Sequence, residues 1–132
     1  MIPVVSQVMS THPWTIERHA TLTDAHRIMR GHHVRHLPVI DDRGICGIVT
    51  ERDLHLIETL ADSDPDTTLV EDAMREDPFV VPGDTPLDEV LEAMAKFKYG
   101  SVIVAGRDGV QGIFTAVDAC QEFARMLHGE RQ

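Results

Sequence analysis

The sequence predicts an α/β protein of two β-α-β-β-α repeats whose sheets pack against each other about a pseudo-twofold axis. Three observations carry this. First, shifted against itself by 65 residues, the 132-residue chain aligns without a gap. Met9 meets Met74, Pro13 meets Pro78, Leu22 meets Leu87, Met29 meets Met94 and Val39 meets Val104. Gly44 meets Gly109, Gly47 meets Gly112, Ile48 meets Ile113, Thr50 meets Thr115 and Asp53 meets Asp118. Those are ten identities over positions 9 to 54, where ordinary residue usage gives roughly three. Second, each copy carries apolar residues at helical spacing. Third, branched apolar runs flank Asp- and Gly-bearing turns. One supersecondary unit is written twice.

The elements follow in order. Around "PWTIE" and "PFVVP" a short extended segment follows a proline, which biases its predecessor away from helix. "TLTDAHRIMRGH" places Leu22, Ala25, Ile28 and Met29 on one helical face, and "PLDEVLEAMAKF" does so with Leu87, Val90, Leu91 and Met94. Thr21 or Thr23 starts the first of these helices and Pro86 the second. The runs "HLPVI" and "SVIVA" read as strands, the turns "DDRG" and "GRDG" as tight hairpins, and "ICGIVT" and "VQGIFT" as the returning strands. A helix closes each copy, over 51 to about 60 and 116 to about 128. The first repeat spans 1–62 and the second 67–132, joined by the polar stretch "ADSDPDTT". Neither repeat buries enough surface to be comfortable alone, so the two are expected to pack together and leave two related clefts.

Composition narrows the function. Hydrophobic content of 42% and charged content of 26% fit a globular protein with a core of Val, Ile, Leu, Met and Ala. The start has no basic leader and no long apolar run, and nothing reaches the ~18 apolar residues that span a bilayer. A cytoplasmic location is the expectation. A net charge of −10 opposes binding to a nucleic-acid backbone or an anionic membrane, but not to a small phosphorylated ligand, because screening acts over ~8 Å. Cys46 and Cys120 lack metal-type or CxxC spacing and are expected to be reduced, buried, small hydrophobes.

The chemistry concentrates in "GIVTERDL" at 47–54 and "GIFTAVDA" at 112–119. Thr-x-x-Asp at a helix start resembles a capping box, in which the hydroxyl accepts a backbone N–H and the acid reaches back to the cap. The same geometry serves a ligand. A helix N-terminus offers unpaired N–H groups to a phosphate, and a carboxylate is a good double acceptor for a ribose diol. Equal spacing in both copies fits either reading.

The repeat resembles a tandem pair of cystathionine-β-synthase-type (CBS) domains, the Bateman module. The likeness rests on "VMSTHPWTI" and "HHVRHLPVIDDRGICGIVTERDL" with their partners "AMREDPFVV" and "YGSVIVAGRDGVQGIFTAVDA", and it covers nearly the whole of 1–132. The resemblance implies a stand-alone, non-enzymatic regulatory module that binds an adenosine-containing ligand, with AMP, ADP or ATP foremost, as an energy or metabolite sensor. It implies that Asp takes the ribose hydroxyls, that Thr lies close to ribose and phosphate, and that neighbouring apolar residues pack on adenine. One composite pocket would combine Ile113, Thr115 and Asp118 with the Ser10 to Trp14 region, Val34 and Arg35. The other would combine Ile48, Thr50 and Asp53 with Phe79, Tyr99 and Gly100. No cofactor is required; a homodimer and an unknown protein target are the implied partners.

The two pockets are expected to differ. Arg35 and His36 stand where the second copy has Gly100 and Ser101. Arginine grips phosphate oxygens with paired donors, so the pocket walled by Arg35 is expected to bind the more highly phosphorylated ligand, or bind it tighter; an ordinary surface ion pair is the other reading of Arg35. Three other readings compete with a nucleotide sensor. The run "HHVRH" offers His32 and His36 four apart, but a helix fraying near Gly31 and a strand starting near His36 spoil that spacing for a metal. The chain lacks Walker, GxGxxG, GxSxG and HExxH motifs, which argues against an enzyme. A ligand-free scaffold would use the final helix, where Val117, Cys120, Phe123, Ala124 and Leu127 form a broad apolar stripe; core packing is the favoured reading of that stripe. An S-adenosylmethionine sensor is the alternative within the ligand-binding class.

Overall fold

The computed structural model describes residues 1–11, 13–60 and 63–130. His12 in the Ser10 to Trp14 segment, the first-repeat boundary at residue 62 and the last residue, 132, lie outside the described residues. The strands are β1 (Ser10–Thr11), β2 (Ile16–Glu17), β3 (His36–Asp41), β4 (Gly44–Thr50), β5 (Arg75–Glu76), β6 (Val80–Val81), β7 (Ser101–Gly106) and β8 (Gly109–Thr115). The helices are α1 (Leu22–His32), α2 (Glu51–Glu58), α3 (Leu87–Phe97) and α4 (Ala116–Glu130). The elements expected from the sequence are present, and two short additions precede each copy: a 3₁₀ turn (Val5–Gln7, Val70–Asp72) and a two-residue strand, β1 or β5.

Those additions decide how the chain divides. The two compact units are Trp14–Pro78, and Met1–Pro13 together with Phe79–Gln132. The packing units are therefore not the sequence repeats laid end to end, because the leading segment of each copy folds onto the strands of the other. In the Trp14–Pro78 unit the sheet order is β2-β3-β4-β5; in the other it is β1-β8-β7-β6. Matching hydrogen bonds fix both exchanges. Val70 N–H donates to Ala20 O (2.7 Å) and Leu22 N–H to Thr68 O (3.0 Å). Their counterparts 65 residues apart are Val5 N–H to Thr85 O (2.9 Å) and Leu87 N–H to Pro3 O (2.8 Å).

Each unit has its own core. Ile16, Leu22, Ala25, Met29, Leu37, Val39, Val49, Leu54 and Val70 close one; Val5, Val81, Leu87, Val90, Met94, Val102, Val104 and Phe114 close the other. Val5 and Val70 are fully buried, and burying a valine stabilises by about 1.5 kcal/mol or more, so each leading segment is anchored by a side chain.

The duplicated glycines have two distinct tasks. Gly44 and Gly109 end the hairpin turns at φ +117° and +105°, a backbone that side chains with a Cβ rarely adopt. Gly47 and Gly112 let the short strand approach. A Cβ on Gly47 would stand 2.8 Å from the Arg75 carbonyl oxygen, and one on Gly112 would stand 2.6 Å from that of Ser10. The thioethers of Met74 and Met9 fill the same space, which accounts for the matched Met–Gly pairs in the two copies. β3–β4 and β7–β8 also share a register shift at equivalent positions, between Val39 and Ile40 and between Val104 and Ala105.

Two sequence expectations are corrected. Cys120 is exposed rather than buried, while Cys46 is half-buried with Sγ 3.5 Å from Val39 O, and burial, reinforced by Asp41, pushes its thiol up from the ordinary value. The α4 stripe is not core: Val117, Phe123 and Leu127 are 65%, 63% and 40% exposed, and only Ala119 of this helix packs on the core of its unit.

Candidate functional site

Each unit turns from its central hairpin directly into a helix, and the Thr-x-x-Asp sits at that junction. Thr50 is the last residue of β4 and the cap of α2, with extended backbone at φ −113°, ψ 162°. Asp53 N–H donates to Thr50 Oγ1 (3.1 Å) and Thr50 N–H donates to Asp53 Oδ2 (3.0 Å). Thr115 and Asp118 repeat the arrangement at 3.2 and 2.9 Å between β8 and α4. Both are reciprocal capping boxes, as the local reading of the motif requires. Each box consumes Oδ2 of its aspartate and the hydroxyl lone pair, and it fixes the side-chain rotamer. Oδ1 of each carboxylate is outside the box.

The two Oδ1 atoms differ. Asp53 is 7% exposed, and its Oδ1 lies 3.5 Å from Nε of Arg75 on β5. Asp118 is half-buried, and its Oδ1 has no partner among the described residues. The cause is one substitution between the copies: β5 pairs Arg75 with Ile48, while β1 pairs Ser10 with Ile113. Arg75 is a functional candidate that sequence reasoning missed. It lies in a two-residue strand without periodicity, and only its alignment with Ser10 under the 65-residue shift marks it.

The remaining candidates fall into place by unit. In Trp14–Pro78, His36 pairs with Thr50 across the hairpin, and the Arg35 carbonyl accepts the Glu51 N–H (2.9 Å). Arg35 is exposed, Val34 packs half-buried on the core, and Ile48 is buried. In the other unit Ser101 pairs with Thr115, and the Gly100 carbonyl accepts the Ala116 N–H (3.0 Å). Arg35 and Gly100 are thus structural equivalents beside a helix N-terminus, and the difference in local charge is real. Trp14 stacks on His32 with ring centroids 3.4 Å apart and planes within 9°, and it remains 45% exposed. Phe79 stacks on Tyr99 at 4.9 Å and 23°. Each unit so carries a stacked ring pair in which Trp14 or Tyr99 stays partly exposed.

Of the walls that the resemblance assigns, Trp14, Val34 and Arg35 belong to Trp14–Pro78 and Phe79, Tyr99 and Gly100 to the unit holding Asp118, whereas Ser10 and Thr11 lie in β1, in the same unit as Asp118. His32 ends α1 and His36 begins β3, with His33 in a left-handed backbone between them. Among the described residues, no group of three His, Cys, Asp or Glu side chains is placed to hold a metal ion, and no helix is long and apolar enough to cross a membrane.

Comparison with known proteins agrees with this geometry. A family model of the CBS domain matches residues 5–56 and again 70–125. The structure of AcuB from Vibrio cholerae is 30% identical, covers 99% of this chain and 97% of its own, and superposes with a TM-score of 0.84. The CBS domain pair of protein MJ0100, solved in complex with 5′-methylthioadenosine and S-adenosyl-L-methionine, is 26% identical over 96% of this chain and 99% of its own, with a TM-score of 0.83. Inosine-5'-monophosphate dehydrogenase from Korarchaeum cryptofilum is 33% identical over 105 residues, 79% of this chain; the chain spans 21% of that protein's length.

Proposed function

The chain belongs to the CBS domain family, and from that premise we propose that it is a regulatory module that binds an adenosine-containing ligand, AMP, ADP or ATP foremost, at its Thr-x-x-Asp edges. One observation carries the reading: each capping box uses a single carboxylate oxygen and holds the other, on a fixed rotamer, beside a helix N-terminus. A carboxylate oxygen suits a ribose hydroxyl, the helix N-terminus suits a phosphate, and the exposed rings of Trp14 and Tyr99 offer faces to adenine. Capping and ligand binding are thus compatible roles of one residue. The likeness to a CBS pair solved with two adenosine-containing ligands supports the ligand class. Binding rather than catalysis is the activity of these edges.

A thermal-shift panel of AMP, ADP, ATP and S-adenosylmethionine tests the proposal. A ligand that binds only the folded chain stabilises it by about 2.7 kcal/mol at a hundredfold excess over Kd. A saturable shift with at least one of the four is expected; flat melting curves with all four would overturn it. The exposed apolar face of α4 supports a second reading, self-association into a homodimer through that helix, which is compatible with the first.

A further inference from the structure

We propose that Arg75 is a charge-selective gate on the Asp53 edge, making that edge prefer a phosphorylated adenosine ligand over an uncharged one. The inference rests on the nucleotide-binding reading above and adds a specificity that comes from the short strand beside the Asp53 capping box. Asp53 Oδ2 is committed to the Thr50 N–H, so Oδ1 is the oxygen left for a ribose hydroxyl, and Arg75 Nε stands 3.5 Å from it. The Arg75 side chain is 70% exposed and that of Asp53 10%. An ion pair so open on the arginine side is weakly held. It is therefore a latch that a better partner can release. A phosphate is that partner, because it offers guanidinium two parallel charge-assisted hydrogen bonds where Asp53 offers one oxygen at long range. A ligand carrying phosphate draws Arg75 away and frees Oδ1 for its sugar. A ligand without an anion must break the pair and gives the guanidinium nothing in return.

The geometry fixes Arg75 in this role. β5 lies against β4 because Gly47 has no Cβ to push away the Arg75 backbone, and the register sets Arg75 opposite Ile48, two residues before Thr50. The other unit is the internal control. Gly112 admits β1 in the same way, but the residue opposite Ile113 is Ser10, whose short neutral side chain forms no ion pair with Asp118 and offers no guanidinium to a phosphate. The two edges of one chain thus differ in what they demand of a ligand.

The test compares AMP with adenosine by calorimetry on the full chain carrying Asp118→Asn, which leaves the Asp53 edge as the one with its carboxylate. With Arg75 present, AMP is expected to bind about tenfold tighter than adenosine. Arg75→Ser should collapse that preference to within about twofold, and Arg75→Lys, which keeps the charge without the paired donors, should fall between. Arg75 is largely exposed, so these substitutions leave the fold intact, and circular dichroism checks this. Equal affinity for AMP and adenosine with Arg75 in place overturns the inference, as does a preference that survives Arg75→Ser. AMP binding by the wild type but not by the Asp118→Asn chain overturns it too, because the Asp53 edge is then no nucleotide site. Failure of the wild type to bind any adenosine ligand refutes the underlying reading instead.

Discussion

Thr115 and Asp118 hold each other by two hydrogen bonds, Asp118 N–H to Thr115 Oγ1 at 3.2 Å and Thr115 N–H to Asp118 Oδ2 at 2.9 Å, and Asp118 Oδ1 is left over. Cap and ligand roles of this aspartate can therefore be separated by mutation. Asparagine at this third helical position keeps an acceptor oxygen for the Thr115 N–H, but it surrenders the charge that favours a helix N-terminus and one acceptor. Asp118→Asn should leave stability within about 1 kcal/mol of wild type while weakening nucleotide binding at this edge at least tenfold. Asp118→Ala should lose both, with a stability cost of about 1.5–3 kcal/mol for the charge-assisted hydrogen bond removed. Chemical denaturation read beside calorimetry distinguishes the two variants.

The approach of β5 to β4 depends on an absent side chain. A Cβ at Gly47 would lie 2.7 Å from Met74 Sδ and 2.8 Å from a backbone oxygen that cannot rotate away. Gly47→Ala should destabilise by about 1–3 kcal/mol and displace Arg75. Gly31→Ala, in α1 with nothing within 4 Å, is the control and should be neutral or stabilising by up to about 1 kcal/mol. Urea titration of the two variants makes the comparison.

Acid should loosen the α1 cap. The Thr21 backbone N–H, then its hydroxyl, then Arg27 hold the Asp24 carboxyl below the ordinary carboxylate value. A depressed folded pKa contributes stability that is present above the unfolded value and lost as pH falls through the folded one. The melting temperature should therefore drop as pH falls from the ordinary carboxylate range into the more acidic region below it. Asp24→Asn should flatten part of that drop, as melting curves between pH 5 and pH 3 would reveal.

The exposed face of α4 should mediate self-association. Phe123, 63% exposed, lies three and four residues before the exposed Met126 and Leu127, on one side of α4. A charge there meets no core, so Phe123→Glu should leave the monomer fold unchanged and shift light-scattering mass from dimer to monomer. A wild type that is monomeric at all concentrations would remove this expectation.

What the sequence revealed and what it hid divide along physical lines. Local information was sufficient for α1, α3 and both hairpins, because helical spacing, branched strands and the Gly44 and Gly109 turns each act within a few residues. The Thr-x-x-Asp boxes were legible for the same reason, and the Arg35–Gly100 difference emerged from aligning the copies. The exchange of leading segments was not legible. β1 and β5 are two residues long and are held by pairing with β8 and β4, contacts remote in sequence that no local pattern announces. Arg75 was hidden with them. The exposure of Cys120 and Phe123 was also misread, since an apolar stripe looks the same whether it meets a core, a partner or solvent.

The most direct measurement is a calorimetric titration of AMP, ADP, ATP and S-adenosylmethionine into the wild type and into the Asp53→Asn/Asp118→Asn double variant. Saturable binding of at least one ligand to the wild type is expected, with its loss in a double variant that still melts cooperatively near the wild-type temperature. Undiminished affinity in the double variant, or heats of dilution alone from all four ligands in the wild type, would contradict that expectation.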